Sequence, residues 1–196
     1  MNMLVINTAC KKPEIGILGE TVKQIISLTS TEEQTERLIP EIDAMLRCND
    51  LALVDLSSVF VISGPGSFTA LRIGIITAQA ISDNLKIPLL SMDTFEYLKI
   101  VGDGSPVLIH AGGDEVYFES NEIVSFEKFL ENYNSEPVYA DISERQQQHY
   151  GSKIKFAAAI NNLLDAARIV LKSPKKYKVQ GILAPNYVKK PNIHCN

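Results

Sequence analysis

The segment Val59–Gly74 constrains the fold of this chain more than any other part of the sequence. Its first residues, Val59–Ser63, form a short apolar run that is typical of a buried strand. A tight turn follows at Gly64-Pro65-Gly66, and Ser67 is a candidate N-cap for a helix that reaches about Asn84. Because a strand that passes directly into a helix is a building unit of α/β folds, the segment predicts that class.

The turn has two interpretations. In the first, its free backbone N–H groups and the helix dipole bind an anion. That site would comprise five residues of the turn and of the start of the helix, which are called the signature turn below: Gly64, Gly66, Ser67, Thr69 and Arg72. In the second, the glycines only permit a cramped turn and Ser67 caps the helix. The turn is not a Walker A loop, because no Gly-Lys-Ser/Thr follows it.

The residues before this segment predict strands and one helix. Met3–Asn7, Glu14–Leu18 and Thr21–Leu28 are apolar runs, and the gap between the second and the third is hairpin-sized, which favours three antiparallel strands. An amphipathic helix is predicted from Thr31 to about Cys48, and a proline within it predicts a kink or a later start.

The residues after it predict a second lobe. The clearest linker is Gly102–Pro106, which suggests lobes at 1–102 and 103–196. Before the linker we expect a strand at Pro88–Ser91 and a short helix at Thr94–Ile100. Beyond it we expect a hairpin of Val107–His110 with Val116–Ser120, a strand at Val138–Ile142 and a long helix from about Ser152 to Lys172.

Composition excludes several classes of protein. The chain has 196 residues, of which 45% are hydrophobic, so it can bury a sizeable core. Its apolar runs are shorter than the roughly 18 residues that span a bilayer, and its start lacks a basic leader, so we expect a cytosolic protein without a membrane partner. The three cysteines, Cys10, Cys48 and Cys195, are too far apart for a CxxC motif.

Neither the distribution of charge nor the positions of the histidines identifies a catalytic or metal site. The net charge is −4, yet residues 172–196 contain lysines and no acid, which suggests either a basic arm that contacts phosphate or a solvated tail. Ser67 is not framed as a GxSxG nucleophile. His110 with Asp114, and His194 near the end, do not form a recognisable set of metal ligands, so no metal site is expected.

The turn resembles the Gly-Pro-Gly-Ser-Phe-Thr-Gly-x-Arg-x-Gly signature of the bacterial TsaB (YeaZ) family of Gcp-like proteins, from which it differs at Ala70. Shorter matches occur in the expected order along the chain. They are Ile6–Ala9, Leu38–Pro40, Ile87-Pro88, Asp114–Tyr117 and Ala184–Tyr187.

This resemblance implies an actin-like (ASKHA, ribonuclease H-like) α/β fold of two lobes, the second one shortened. It further implies a non-catalytic scaffold subunit of the complex that transfers threonylcarbamoyl to N6 of adenosine 37 in tRNA. The implied partners are a TsaD-like catalytic subunit, a TsaE-like ATPase, a second copy of the chain when it is alone, and tRNA through the complex. No cofactor is expected on the chain alone, and the resemblance is compatible with a nucleotide bound at a subunit interface.

The resemblance also places the partner interface on the helices after Thr31 and after Ser67. The stripe expected to be exposed there comprises Leu38, Ile42, Met45, Leu71, Ile75 and Ala78. Asn7 stands where ATP-using relatives place an acid, which argues against nucleotide hydrolysis by this chain. Two alternatives remain: an enzyme of the superfamily, as a peptidase or ATP-dependent phosphotransferase, or a homodimeric regulatory protein.

Overall fold

Two β-sheets organise the chain. The computed structural model describes residues 1–28, 34–119 and 122–187. The first sheet has strand order β3-β2-β1-β4-β5 and the second has β8-β7-β6-β9. The strands are β1 (Asn2–Asn7), β2 (Glu14–Leu18), β3 (Lys23–Ser27), β4 (Leu56–Ile62), β5 (Leu89–Met92), β6 (Val107–Gly112), β7 (Glu115–Phe118), β8 (Ile123–Ser125) and β9 (Tyr139–Asp141).

The first sheet confirms the predicted meander. Strands β1, β2 and β3 pair antiparallel, whereas β4 and β5 extend the sheet in parallel beside β1. Parallel neighbours need crossover connections, and helices supply them here. The helices are α1 (Gln34–Cys48), α2 (Phe68–Leu85), α3 (Thr94–Val101), α4 (Phe126–Glu131), α5 (Glu144–Tyr150), α6 (Leu163–Lys172) and α7 (Pro174–Tyr177). This order of strands and helices confirms the α/β class.

The helix bounds near the signature turn agree with the sequence. Helix α2 begins directly after Ser67 and ends one residue beyond the predicted Asn84, at Leu85. Helix α1 continues through Pro40 to Cys48. Its predicted start at Thr31 lies outside the described residues. None of the helices in the described part of the chain combines the length and the apolarity that crossing a lipid bilayer requires.

The second sheet is small and contains the predicted hairpin. Strands β6 and β7 pair antiparallel, and β9 joins β6 in parallel. Strand β8 and helices α4, α5 and α7 were not predicted, because each is shorter than the window over which a periodic pattern can be recognised.

The predicted helix from Ser152 to Lys172 is wrong in its first half. Helix α6 begins only at Leu163, where the Asn162 side chain accepts hydrogen bonds from the backbone N–H groups of Leu164 and Asp165. Residues before this cap are bonded elsewhere, because the Ala157 N–H donates to the Val138 carbonyl. The alanines of this stretch favour a helix, but pairing beside β9 prevails.

The C-terminal segment returns to the first sheet. Helix α6 packs against β1 and β2, and its apolar residues belong to the same core cluster as those strands. Farther along, Lys178 forms a bridge with Leu90, and the Asn186 N–H donates to the Ser63 carbonyl. The single division at residue 102 therefore differs from the observed packing, in which both ends of the chain build the larger body.

The predicted exposed stripe of α1 and α2 is wrong. All six side chains assigned to it are buried within this chain: Leu38, Ile42, Met45, Leu71, Ile75 and Ala78. They join the core cluster that contains the apolar residues of β1 and β4. Helical spacing identifies such a stripe but does not say whether a sheet or a partner covers it. The exposed residues are their neighbours, Ile39 at 65% and Ile76 at 66% relative exposure.

This assignment of faces predicts unequal effects of two adjacent truncations in α1. Leu38 is fully buried, so Leu38→Ala should lower the free energy of unfolding by about 3 kcal/mol through lost burial and a residual cavity. Ile39 projects outward, so Ile39→Ala should change it by less than about 0.5 kcal/mol. Urea unfolding of the two variants measures the difference, and equal losses would contradict the assignment.

Candidate functional site

The signature turn rests on the end of β1. A Cβ atom on Gly66 would lie 2.3 Å from the carbonyl oxygen of Ala9, so only glycine allows this approach of two backbones. Beside it, the buried Thr8 hydroxyl donates to the Ala70 carbonyl of α2 at 2.7 Å. The opening motif and the signature turn, which are far apart in sequence, are therefore in direct contact.

The last sequence match closes the same turn. Gly64 has φ +109°, and a Cβ atom there would lie 2.7 Å from the Asn186 carbonyl oxygen. The rings of Phe68 and Tyr187 are 4.6 Å apart, and the Arg72 guanidinium lies 5.0 Å from the centre of the Phe68 ring. The turn is thus packed by residues from both ends of the chain.

These contacts support the part of the structural interpretation in which the glycines permit a cramped turn, whereas the expected side-chain cap by Ser67 is wrong. Ser67 occupies the N-cap position, but its side chain makes no capping hydrogen bond. Thr69 and Arg72 are exposed near the start of α2, and Arg72 lies against the Phe68 ring. The anion-binding interpretation of the signature-turn residues stays a prediction.

A cleft of about 460 Å³ lies between the two sheets. The ends of β1 and β2 contribute Asn7 and Glu14, and α3 contributes Tyr97. Strand β9 of the second sheet supplies Tyr139 and Asp141 from the opposite side. None of these positions except Asn7 stood out in the sequence, because they converge only when the two sheets face each other.

Asn7 lines this cleft and is fully buried. Its Oδ1 accepts hydrogen bonds from the N–H groups of Ala9 and Cys10, at 3.2 and 3.4 Å, which fixes the amide orientation. Its Nδ2 makes no hydrogen bond of good geometry within the described part of the chain, but it faces the Tyr97 hydroxyl and the Cys10 thiol, and its interaction with each lowers the pKa of that group. The buried amide is thus paired only weakly, which marks this position as unusual.

The two carboxyl groups of the cleft resist ionisation. Burial raises the pKa of Asp141 to about 6, although the Lys11 N–H donates to its Oδ1 at 2.9 Å and partly offsets the effect. Burial also raises the pKa of Glu14, whose Oε2 accepts a long 3.4 Å hydrogen bond from the Tyr97 hydroxyl. Both acids therefore lie in surroundings that disfavour an uncompensated negative charge.

The neighbouring acidic groups show the same effect. Burial raises the pKa of Tyr139 to about 12, and the charges of Cys10, Asp141 and Glu14 add to it. Burial likewise raises the pKa of the Cys10 thiol and of the Tyr97 hydroxyl. A raised thiol pKa makes Cys10 a poor nucleophile at neutral pH.

A separate apolar groove runs between α1 and α2, on the face opposite the sheet. Its lining includes the partly exposed edges of both helices and of the 3₁₀ turn Leu53–Asp55. The residues that line it are Ile39, Ile42, Asp43, Leu46, Leu53, Thr77, Ala80 and Ile81. Ile76 and Val54 are exposed next to Thr77 and Leu53, which line the groove. The sequence contained the signal for this surface, since Ile39 breaks the polar face of α1.

The histidines and lysines considered in the sequence are dispersed. The His110 ring contacts the Gly113 carbonyl within its own hairpin, at 2.9 Å. Lys176 pairs with Glu96 at 2.7 Å, and so is engaged with α3. His194 and the last two lysines lie outside the described residues. Within residues 1–28, 34–119 and 122–187, no group of three or more His, Cys, Asp or Glu side chains could hold a metal ion.

Comparison with known proteins identifies a family and relatives to which this chain is similar. Residues 24–179 match the family model described as TsaD: tRNA N6-adenosine threonylcarbamoyltransferase. The chain is 32% identical over 96 residues to the tRNA threonylcarbamoyladenosine biosynthesis protein TsaB of Buchnera aphidicola subsp. Schizaphis graminum. It is 31% identical over 103 residues to the protein of that name from Bacillus subtilis. These matches cover 49% and 52% of this chain and 46% and 45% of the relatives, so the chain spans about half their length.

The fold is also similar to that of a solved structure, YeaZ from Pseudomonas aeruginosa. The TM-score is 0.75 at 19% identity, and the match covers 95% of this chain and 99% of that chain. The molecule is therefore an α/β protein of the actin-like class, as the resemblance implied. The chain belongs to the family that the model describes, among its TsaB (YeaZ) proteins.

The close approach at the signature turn generates a stability prediction. Gly66→Ala should lower the free energy of unfolding by about 3 kcal/mol, because a Cβ atom would overlap the Ala9 carbonyl and displace backbone. Gly104→Ala is the control, since a Cβ there meets nothing within 4 Å and only the left-handed φ costs about 1 kcal/mol. Urea unfolding compares them, and a loss no larger for Gly66→Ala than for Gly104→Ala would disprove the crowding.

Proposed function

We propose that this chain is a non-catalytic subunit in the formation of threonylcarbamoyladenosine on tRNA, and that it pairs with a TsaD-like catalytic subunit. Membership of the TsaB (YeaZ) proteins supports the pathway. The apolar groove between α1 and α2 supports the pairing, and it is the observation that carries the proposal.

The groove has the properties of a protein-binding surface. Large apolar side chains that are exposed on the described residues concentrate there: Ile39, Leu53, Val54 and Ile76. Burying them would remove apolar area from water, which stabilises association by about 25 cal/mol for each Å². Exposed apolar patches of this kind on otherwise well-packed proteins commonly mark protein interfaces. Asp43, which lines the groove and pairs with Arg47 one turn along α1, gives it a charged rim.

The non-catalytic role is supported by the state of Asn7. A phosphotransferase of this fold class would need an acid there to hold Mg²⁺. Here the side-chain oxygen is already engaged by two backbone N–H groups of its own loop, and the group left over is an N–H donor. An amide in this orientation repels a metal ion. An ATP hydrolysis assay on the purified chain tests the phosphotransferase alternative.

The remaining partners complete the proposal. A TsaE-like ATPase joins the complex, and tRNA is reached through the complex in the cytoplasm. A second copy of the chain would occupy the same groove when the catalytic subunit is absent, because one apolar surface serves either partner. Adding the catalytic subunit would then exchange homodimer for heterodimer.

Charge placed on the outer face of α1 or α2 should abolish pairing without unfolding the chain. Ile39→Glu and Ile76→Glu are the test variants, because both side chains are about two-thirds exposed and an added carboxylate there would have to be desolvated in the complex. A charge at Ile42, which the sequence placed on the exposed stripe, is unsuitable because that residue is buried. Size-exclusion chromatography with light scattering, with and without the host's TsaD-like protein, measures pairing.

Ile160→Glu is the matched control, since Ile160 is 67% exposed on the segment before α6, away from the groove. It should pair like the unmodified chain, and all three variants should keep their unfolding midpoints. Modification of tRNA by the reconstituted complex should fall with pairing in the two groove variants. Heterodimer formed normally by both groove variants would refute the proposed interface.

A further inference from the structure

The end of α6 and the short helix α7 carry a row of lysines that have no acidic partner. Lys172, Lys175 and Lys178 are exposed, and none of them forms an ion pair with another described residue. Other cations of this part of the molecule differ, because Lys99 and Arg168 each pair with a carboxylate. The three lysines therefore keep their full charge for a partner outside the chain.

The backbone that carries these lysines is fixed to the first sheet. Lys176 Nζ and the Tyr177 hydroxyl both donate to Oε1 of Glu96 in α3, each at 2.7 Å. Directly after them, Lys178 forms an antiparallel bridge with Leu90 of β5. Residues 172–178 are thus docked on the body and are not a free tail. Charges on a fixed backbone lose less conformational entropy when they bind.

Lys86 adds a fourth charge to this surface. It is exposed at the end of α2, and together with Lys178 it lines an open depression of about 480 Å³ between α2 and the segment after α7. Asp83 is the one acid that lines this depression among the described residues, and its carboxylate accepts a hydrogen bond from Gln79. Positive charge therefore exceeds negative charge here. The four lysines form the basic strip: Lys86, Lys172, Lys175 and Lys178.

The charge of the strip is opposite to that of the rest of the chain. Residues 172–196 contain six lysines and no acid, whereas residues 1–171 contain 13 basic and 23 acidic side chains. An acidic body repels a polyanion, so a phosphate backbone is favoured only where the local field is reversed. Lysine carries its charge on a flexible stem, which suits contacts to phosphates that read no base sequence.

We propose that the basic strip contacts the phosphate backbone of tRNA in the complex. The inference rests on the proposed function, because that function brings tRNA to the catalytic subunit. Helix α2 links the two surfaces, since Ala80 and Ile81 line the apolar groove while Ser82 and Lys86 line the depression. A tRNA held by a subunit in the groove therefore lies next to the strip. The strip positions this RNA and adds to the affinity of the complex.

A membrane surface fits the strip less well. Segments that bind anionic membranes combine basic side chains with a continuous apolar face. Near the strip, the large apolar side chains exposed among the described residues are Ile169 on α6 and Ile182 after α7, at 38% and 90% relative exposure. They do not share a helix. A planar anionic surface would also face the acidic body around the strip.

Removal of charge with a matched control tests the inference. The strip variant combines Lys172→Gln, Lys175→Gln and Lys178→Gln. The control variant makes the same change at three exposed lysines of the second-sheet region: Lys128, Lys153 and Lys155. Both variants lose the same net charge. Lys176 stays unchanged in both, because its bond to Glu96 holds α7 in place.

The salt dependence of tRNA binding is the measurement. The affinity of the reconstituted complex for fluorescein-labelled tRNA is determined by fluorescence anisotropy between about 50 and 300 mM KCl. Each phosphate contact contributes about 0.7 to 0.9 to the slope of log affinity against log salt. The strip variant should therefore lose about 2 from the magnitude of this slope and bind at least about tenfold more weakly at 100 mM salt. The control variant should keep the slope of the unmodified complex.

Two further measurements separate the inference from other causes. Replacing the same three lysines with arginine keeps the charge and should keep the slope, which separates lost charge from altered packing. Light scattering should show that the strip variant pairs with the TsaD-like protein as the unmodified chain does, because its three lysines lie outside the groove. Failure of the unmodified chain to pair would count against the proposed function. The strip would then be measured on the chain alone, where the difference in slope should persist.

Three results would overturn the inference. One is an unchanged slope in the strip variant. Another is an equal loss of slope in the control variant, because net charge alone would then explain the binding. The third is binding of the chain to phosphatidylserine vesicles through these lysines with no change in tRNA affinity, which would assign the strip to a membrane surface instead.

Discussion

The approach of two backbones, at Gly66 and Ala9, is the contact on which the rest of this structure depends. It sets the signature turn directly on the end of β1, and the Thr8 hydroxyl then ties the first turn of α2 to the sheet. With α2 held this way, Leu71 and its neighbours are buried, and the opposite edge of the helix faces outward beside α1. The apolar groove is a consequence of this placement.

The C-terminal segment packs back onto the first sheet, and this packing creates the cleft between the two sheets. Helix α6 packs on the first sheet and Asn186 bonds to Ser63, so the smaller sheet is inserted between two parts of the larger body. This insertion brings Asp141 across from Glu14 and Asn7 and creates the cleft. Groove and cleft thus lie on different faces and have different chemistry, one apolar and one polar.

The sequence predicted the elements near the signature well because strong local signals mark them. The apolar run before Gly64 and the turn itself identified β4 and α2, and three apolar runs separated by short gaps identified the meander before them. Prediction from the sequence failed where tertiary contacts override local preference. At Ala157, for example, the backbone N–H donates to the Val138 carbonyl beside β9, so this residue is not helical. It also could not say which stripe of α1 is covered, because Leu38 and Ile39 are equally apolar. The cleft depends on residues from both sheets and leaves no local pattern.

Hydrogen–deuterium exchange of the chain, alone and mixed with its host's TsaD-like protein, tests the central claim most directly. If the α1–α2 groove is the partner surface, amides of residues 39–46, 53–54 and 73–81 should be protected in the mixture. Amides around Asp141 and in the second sheet should keep their exchange rates. Protection that appears on the second sheet or along α6, with α1 and α2 unchanged, would contradict the account and move the partner surface elsewhere.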